Sequence, residues 1–271
     1  MKQQAGTQWA DISEWLAWWL AKPRLPQDVQ KAFDRYYKTY RHRFSPYVRR
    51  HYANQTAEVQ ALIRRGSRVL EVGCGCGTES LWFAMNGASV VGIDVNGRRI
   101  PVARERAKHV REVLGVEVDV CFTQESLFEF EDAAGFDVIW MEQAFHHIEP
   151  RGEVPSVLSK LLRPRGHVAI SEANGWNPML QLALLRQRGV QTIRETIDAE
   201  GRKSLYGVER VTTPGKIAKQ FGSQGFEEVS RRFFRVLPSA AVFERLAWLE
   251  DIAPSWFAPI YSHYNIVLRK G

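Results

Sequence analysis

Three glycines at alternate positions, Gly73, Gly75 and Gly77, follow a short apolar segment in the sequence V-L-E-V-G-C-G-C-G at residues 69–77. Because glycine has no Cβ, a ligand can lie directly against the backbone at these positions. The apolar segment has the character of a buried strand, and Thr78 is a suitable N-cap for the helical pattern that follows. We therefore predict a strand, a tight turn and a helix whose free N–H groups face a ligand.

Asp94 ends the next apolar segment, S-V-V-G-I-D. Its distance along the chain from Gly73 is close to the roughly 20 residues that precede a ribose-binding acid in dinucleotide folds. A carboxylate can accept hydrogen bonds from both ribose hydroxyls. The dinucleotide fingerprint itself is not met, because Thr78 stands where its last glycine belongs. An adenosine ligand without a pyrophosphate cradle is favoured, and a plain turn residue at the strand end is the alternative role for Asp94.

Two adjacent histidines, His146 and His147, follow a third apolar segment in F-D-V-I-W-M-E-Q-A-F-H-H-I-E-P at residues 136–150. Imidazole can accept a proton near neutral pH, so either side chain could serve as the general base for an attacking nucleophile. The alternative is that both imidazoles only form hydrogen bonds within their loop.

The three cysteines do not indicate a disulfide framework, because Cys74 and Cys76 lie inside the glycine turn and Cys121 in a predicted strand. The Cys-x-Cys pair could be half of a metal site, but no histidine or cysteine cluster follows it at ligand spacing. We therefore predict no metal site.

The N-terminal region carries tryptophan and aliphatic residues at helical spacing, which predicts a strongly apolar helix over residues 9–21. Such a face must be covered, either by the rest of the chain as a lid, by a membrane surface or by a dimer partner. Residues 30–65 hold nine lysines or arginines against Asp34 and Glu58, so the net charge of +7 arises in this segment. Its alternating aromatic and basic residues could contact nucleic acid, attract an acidic small molecule or form a solvated helix face.

A length of 271 residues allows one sizeable core, and we expect one α/β domain with additions. No apolar run approaches the roughly 20 residues of a membrane span, and the N-terminus lacks the pattern of a signal peptide. A cytoplasmic protein is the expectation.

The wording E-V-G-C-G-C-G resembles the first motif, E/D-x-G-x-G-x-G, of the class I S-adenosylmethionine-dependent methyltransferases, and residues 136–150 resemble the family's fourth-strand motif. The resemblance implies an α/β fold with a doubly wound, seven-stranded, mostly parallel sheet of order 3-2-1-4-5-7-6 and helices on both faces. It implies S-adenosylmethionine as cofactor and matches His147 to the family's common histidine, whereas the position of His146 varies. The cofactor residues implied are Glu71, Gly73, Gly75, Gly77, Asp94, Val95, Gln124, Glu125 and Met141.

The resemblance covers about residues 66–170 well and the last sixty or so loosely, while the first sixty residues fall outside it. We therefore predict an N-terminal helical lid, residues 1–65, and a methyltransferase domain, residues 66–271, with a substrate-loop insertion at about 172–212. Within that insertion we predict substrate contacts from Glu172, Asn174 and Trp176. Family members that methylate amino groups in nucleic acid carry D/N-P-P-Y/F after the fourth strand, where this chain has M-E-Q-A. The Pro-Cys pair of the cytosine methyltransferases is also absent, since Cys121 follows Val120. The small-molecule branch is therefore favoured, with an acidic or aromatic acceptor as a candidate.

Three alternatives stay open. The first is an RNA or protein methyltransferase that docks through the basic segment, so a nucleic-acid partner is not excluded although it is not favoured. The second is a non-catalytic protein that binds the cofactor. The third concerns assembly, since the apolar N-terminal helix could support a homodimer.

Overall fold

The computed structural model describes residues 8–21, 24–197, 203–237, 244–254 and 256–271. The strands are β1 (Arg68–Val72), β2 (Ser89–Asp94), β3 (Val120–Gln124), β4 (Phe136–Glu142), β5 (Leu162–Ala173), β6 (Ile193–Ile197), β7 (Lys203–Gly207), β8 (Phe226–Phe234) and β9 (His263–Lys270). The helices are α1 (Ile12–Ala21), α2 (Gln27–Tyr36), α3 (Lys38–Arg43), α4 (Pro46–Leu62), α5 (Thr78–Met85), α6 (Ile100–Val113), α7 (Val154–Leu161), α8 (Pro178–Arg188), α9 (Pro214–Gly222) and α10 (Leu249–Ile252).

Seven of the strands form one sheet in the order β3-β2-β1-β4-β5-β9-β8. The first five are parallel, and β9 pairs antiparallel with both β5 and β8. Because β6 and β7 form a separate hairpin, β8 and β9 are the sixth and seventh strands of the sheet. The predicted order 3-2-1-4-5-7-6 is therefore confirmed. The order reverses between β1 and β4, and in such sheets ligands bind outside the carboxyl ends of the strands at that point.

The core has one apolar cluster on each face of the sheet. In β1, Val69 belongs to the cluster that includes α5 and α6, and its neighbour Leu70 belongs to the cluster that includes α7 and α9. This alternation follows from the period of two residues in a strand. The sheet is therefore covered by helices on both sides, as predicted.

The N-terminal helices add to the first of these clusters. Trp15, Leu16 and Trp19 of α1 are fully buried there, together with Phe33 of α2. Helix α1 begins at Ile12 rather than at residue 9, because the Asp11 carboxylate accepts from the backbone N–H groups of the first turn. The apolar face of α1 is thus packed within the chain. Among the described residues, no helix is both long and apolar enough to cross a bilayer.

The segment from 172 to 212 contains the expected helical run, α8, and a hairpin that the sequence did not predict. Asn177 caps α8 by accepting from Leu180 N at 2.9 Å. The hairpin β6–β7 is held near the sheet by an antiparallel bridge between Ile148 and Tyr206.

A buried arginine ties the N-terminal helices to the glycine turn. The guanidinium of Arg106 donates to Cys76 O and to Thr78 Oγ1, both at 2.7 Å. It also lies 4.5 Å from the ring centroid of Trp19 and 5.1 Å from that of Phe33. Its Nε and Nη2 atoms have no hydrogen-bond partner, so the rings are their main neighbours and the contact is of the cation–π type.

We expect Arg106→Ala to lower the free energy of unfolding by about 3 kcal/mol, because hydrogen bonds to a charged group are lost in a buried place. Urea denaturation followed by tryptophan fluorescence measures this change. Arg111→Ala on the same helix is the control, since Arg111 is exposed and should cost less than about 1 kcal/mol. Equal effects of the two substitutions would contradict the role given to Arg106.

Candidate active site

The glycine turn after β1 has a backbone that other residues adopt only with strain. Gly73, Gly75 and Gly77 have φ values of 80°, 54° and 73°. A Cβ on Gly73 would lie 2.7 Å from Ala144 Cβ, and one on Gly75 would collide with the hydroxyl of Tyr36. The bare backbone predicted from the sequence is therefore present.

The helix after the turn begins one residue earlier than expected. Gly77 is the N-cap of α5, and Thr78 is its first helical residue. The prediction that Thr78 caps this helix is wrong, because its hydroxyl lies 2.5 Å from the hydroxyl of Tyr37 and accepts from Arg106 instead.

Asp94 lies beside the turn, at the carboxyl end of β2. Its Oδ2 accepts from Gly75 N at 2.9 Å, and its Oδ1 accepts from Asn96 N at 2.7 Å. Arg99 Nη1 is 3.4 Å from Oδ2. These contacts fix the orientation of the carboxylate against the glycine turn.

Three further predicted cofactor residues lie around Asp94. Val95 directly follows it and is exposed, which leaves apolar surface beside the carboxylate. Gln124 pairs in register with Asp94 across β2 and β3, and Glu125 N donates to Asp94 O at 3.3 Å. The structure thus brings Val95, Gln124 and Glu125 to one place, whereas the buried side chain of Met141 packs in the core cluster with α7 and α9.

Three carboxyl groups, Glu71, Glu79 and Glu142, are buried near one another. Burial raises the pKa of Glu79 above its ordinary value and the pKa of Glu71 and Glu142 well above theirs, and the charge of Glu79 raises the pKa of the other two further. Ser80 donates to Glu71, and Tyr52 donates to Glu79. Glu71 was predicted from its motif. Glu79 and Glu142 were not, although Glu142 directly follows the apolar residues of β4.

The N-terminal helices reach into this acidic region. Gln55 of α4 donates to Glu142 Oε1 at 2.7 Å, and the Tyr36 hydroxyl of α2 lies over Gly75. The guanidinium of Arg99 is 5.0 Å from the centroid of the Tyr36 ring. The Tyr36 ring beside the glycine turn offers an aromatic face that suits a cationic ligand.

The histidine pair lies in a 3₁₀ turn, Phe145–His147, just after β4. His146 is buried, and its Nδ1 is 2.7 Å from Glu172 Oε2. Burial alone would lower the pKa of His146, but the Glu172 carboxylate raises it. His147 Nδ1 is 2.8 Å from Gly207 O, and burial together with the nearby His146 lowers its pKa.

The three predicted substrate residues have different surroundings. Glu172 is buried and orients His146 through its ring and its backbone N–H. Asn174 is buried, and its amide group donates to Ala258 O and Tyr261 O at 2.9 Å. Only Trp176 is exposed, 6.3 Å from the ring centroid of Phe233.

Glu209, which the sequence did not single out, lies against the histidine pair. Its carboxylate oxygens are 3.7 Å from His146 Nε2 and 3.9 Å from His147 Nε2. Glu209 comes after the β6–β7 hairpin, far from residues 146 and 147 in the sequence, so no short sequence motif contains all three residues. The hairpin lies near the cofactor side as well, since burial raises the pKa of Tyr206 and the charges of Arg99 and Asp94 also act on it.

Comparison with known proteins agrees with this geometry. Residues 70–168 match the family described as methyltransferase domain. A ubiquinone biosynthesis O-methyltransferase from Pectobacterium atrosepticum is 35% identical over 135 residues, 49% of this chain and 52% of its own. A 27-O-demethylrifamycin SV methyltransferase from Amycolatopsis mediterranei is 30% identical over 118 residues, 41% of this chain and 40% of its own. The chain thus spans about half or less of the length of these curated relatives.

A solved structure extends the likeness over almost the whole fold. Magnesium protoporphyrin IX methyltransferase from Synechocystis, with bound S-adenosylhomocysteine, superposes with a TM-score of 0.58 at 18% identity, covering 96% of this chain and all of that one. The glycine turn with its adjoining acid, the sheet order and the family match thus confirm the resemblance seen in the sequence. Residues 70–168 are thus similar to the methyltransferase domain family, and the sheet has the strand order that the resemblance to class I S-adenosylmethionine-dependent methyltransferases implied.

Proposed function

We propose that this protein transfers a methyl group from S-adenosylmethionine to an oxygen, nitrogen or carbon nucleophile of a small-molecule acceptor. The observation that carries the proposal is the hydrogen bond from Gly75 N to the Asp94 carboxylate, which joins the bare glycine turn to the acid expected to hold a ribose. The curated relatives named above are methyltransferases of small molecules, which supports the same class of acceptor.

The residues present fit the cofactor. The backbone of Gly73, Gly75 and Gly77 would hold its methionine part once the Tyr36 hydroxyl, which lies against Gly75, moves aside, and Asp94 offers acceptor atoms to its ribose. Val95, Gln124 and Glu125 then lie where the adenine would rest, and Glu71 supports the turn from below. When bound, S-adenosylmethionine supplies a methyl group that its positive sulfur already activates. The protein then has to hold the acceptor nucleophile in line with this methyl group, and such positioning can lower the activation free energy by roughly 7–11 kcal/mol.

The histidine pair is proposed to contact the acceptor. Glu172 and the carbonyl of Gly207 hold the two rings by their Nδ1 atoms. The Nε2 atom of His147, which is less buried than that of His146, is then available to take a proton from the nucleophile. Glu172 acts by orienting His146, while Trp176 and Asn174 stay predicted substrate contacts.

An acidic or aromatic acceptor is favoured by a cavity of about 360 Å³ at the ends of β8 and β9. Its lining holds three aromatic rings and three arginines together with Asn54 and Glu250, namely Phe233, Phe234, Tyr261, Arg50, Arg232 and Arg235. Arg50 already pairs with Glu250 and Arg232 with Glu58, both at 2.9 Å, so the rings support an aromatic acceptor more than the arginines support an acidic one. Phe234 and Tyr261 flank the start of β9, which pairs with the carboxyl end of β5. The cavity is therefore at the same edge of the sheet as Glu172.

A macromolecular acceptor is less well supported. Stacking on nucleic-acid bases requires accessible rings, yet Phe33 and Tyr37 of the basic N-terminal segment are buried in the core. The division into a lid, residues 1–65, and a catalytic domain, residues 66–271, belongs to this proposal, as does a cytoplasmic location. The apolar face of α1, which was the ground for expecting a homodimer, is packed within the chain.

The proposal is tested by incubating the protein with S-adenosylmethionine labelled at its methyl group and a cell extract. We expect label to enter the small-metabolite fraction. Entry into RNA or protein would favour the macromolecular alternative, and binding of the cofactor without any transfer would favour a non-catalytic protein. Binding itself is measured by the denaturation midpoint, since ligand at 100 times its dissociation constant stabilises by about 2.7 kcal/mol.

We expect Asp94→Ala to weaken cofactor binding by about 2–3 kcal/mol, because charge-assisted hydrogen bonds to the ribose are lost. Isothermal titration calorimetry measures the affinity. Asp119→Ala is the control, because Asp119 is an exposed acid before β3 and should leave the affinity unchanged. An unchanged affinity in Asp94→Ala would remove the ribose assignment.

We expect His147→Ala to slow the chemical step by roughly 10²–10⁴-fold while cofactor affinity stays the same. Single-turnover measurements with an acceptor found in the labelling experiment give the rate. His42→Ala replaces an exposed histidine of α3 and should react at the normal rate. A normal single-turnover rate for His147→Ala would exclude His147 from the chemistry.

A further inference from the structure

His146, His147 and Glu209, here called the triad, bring three potential metal-ligand atoms together. One atom from each residue lies within 4.8 Å of the other two. The carboxylate oxygens of Glu209 are 3.7 and 3.9 Å from the two Nε2 atoms, which is beyond hydrogen-bonding distance. The three groups therefore face one another across a small gap.

The outer hydrogen bonds of the two rings leave both Nε2 atoms as acceptors. His146 Nδ1 faces Glu172 Oε2 at 2.7 Å, and His147 Nδ1 faces Gly207 O at 2.8 Å. A carboxylate and a carbonyl can only accept, so each Nδ1 carries a proton, and each ring in its neutral form presents the Nε2 lone pair. Metal-binding histidines are typically oriented by just such a carboxylate or carbonyl partner.

The hairpin β6–β7 is packed so that Glu209 is held against the histidines. The Tyr206 ring stacks on His147 with centroids 4.7 Å apart and an interplanar angle of 16°. Gly207 approaches the 3₁₀ turn so closely that a Cβ there would collide with His146 O. Glu209 itself has a φ of 46°, which is uncommon for a residue other than glycine.

We propose that the triad binds one divalent first-row transition metal ion of the Zn²⁺ class. Two imidazoles and one carboxylate are the protein ligands of several catalytic zinc sites and leave a coordination position open. Two ligands at about 2.1 Å from a tetrahedral ion lie roughly 3.4 Å apart, so ligand atoms that now lie within 4.8 Å of one another would have to approach by up to about 1.4 Å to complete the site. A direct ion pair would instead bring the atoms to about 2.7–2.9 Å.

The catalytic role given to such an ion rests on the proposed methyltransferase function. The binding of the ion rests only on the geometry of the triad. An ion held by the triad would lie at the acceptor side of the site and would lower the pKa of an acceptor hydroxyl group. His147 Nε2 would then be a ligand, so in the loaded protein the ion takes over the activation that the free imidazole would otherwise provide. The acceptor class inferred is therefore a hydroxyl compound, which agrees with methyl transfer to oxygen.

The test is a titration of chelator-treated full-length protein with Co²⁺, followed by visible absorption, and with Zn²⁺, followed by calorimetry. We expect one equivalent of each ion to bind at the triad. His147→Ala and Glu209→Gln should each weaken this binding by at least tenfold, and Glu172→Gln, which removes an outer partner, by about 10–100-fold. His42→Ala and Cys121→Ser are controls at exposed positions and should bind the ions as the wild type does.

Two outcomes would overturn the inference: no binding of either ion, or equal affinity in the wild type, His147→Ala and Glu209→Gln. Circular dichroism of each variant shows whether it is folded. The chelator-treated protein is titrated with S-adenosylmethionine in parallel, so the two proposals fail separately. Cofactor binding without metal binding would defeat only the metal site, and metal binding without cofactor binding would defeat only the methyltransferase proposal.

Discussion

Parallel strands that end at one edge of a sheet bring their last residues together, and this constraint organises the molecule. The glycine turn follows β1, Asp94 ends β2, the histidines follow β4 and Glu172 lies near the end of β5. None of these residues is close to the others in sequence. The hydrogen bonds from Gly75 N to Asp94 and from His146 to Glu172 each join two strand ends. The proposed cofactor site and the proposed acceptor site are thus neighbours because of the strand order.

Much of this arrangement could be predicted from the sequence, because it depends on local patterns. Glycine spacing predicted the positive-φ turn, apolar segments predicted the strands, and the two family motifs predicted the order in which the strands pair. The N-cap of α5 was placed one residue too late, since a threonine at that position normally caps a helix. What decides its role here is a long-range contact with Arg106, which no local pattern contains.

The features that the sequence did not reveal all depend on contacts between distant segments. Glu209 meets the histidines only because the β6–β7 hairpin lies beside the 3₁₀ turn, and its own surroundings in sequence are ordinary. Glu79 and Glu142 become buried only when α4 supplies Tyr52 and Gln55 as hydrogen-bond donors. Asn174 resembled a substrate contact in an open loop, yet it is the partner of two backbone carbonyls from the segment before β9.

The hairpin belongs to neither the main sheet nor the two core clusters, within the part of the chain that the structure describes. Its described contacts with the rest of the fold include one bridge, one ring stack, the close approach of Gly207 and the hydrogen bond between His147 and Gly207 O. Substitutions on the outer face of the hairpin should therefore cost little folding free energy. Substitutions that move the hairpin relative to the 3₁₀ turn should change which compounds fit the proposed acceptor site. If the proposed function holds, the hairpin is the place where the range of accepted compounds can change while the residues proposed to hold the donor stay the same.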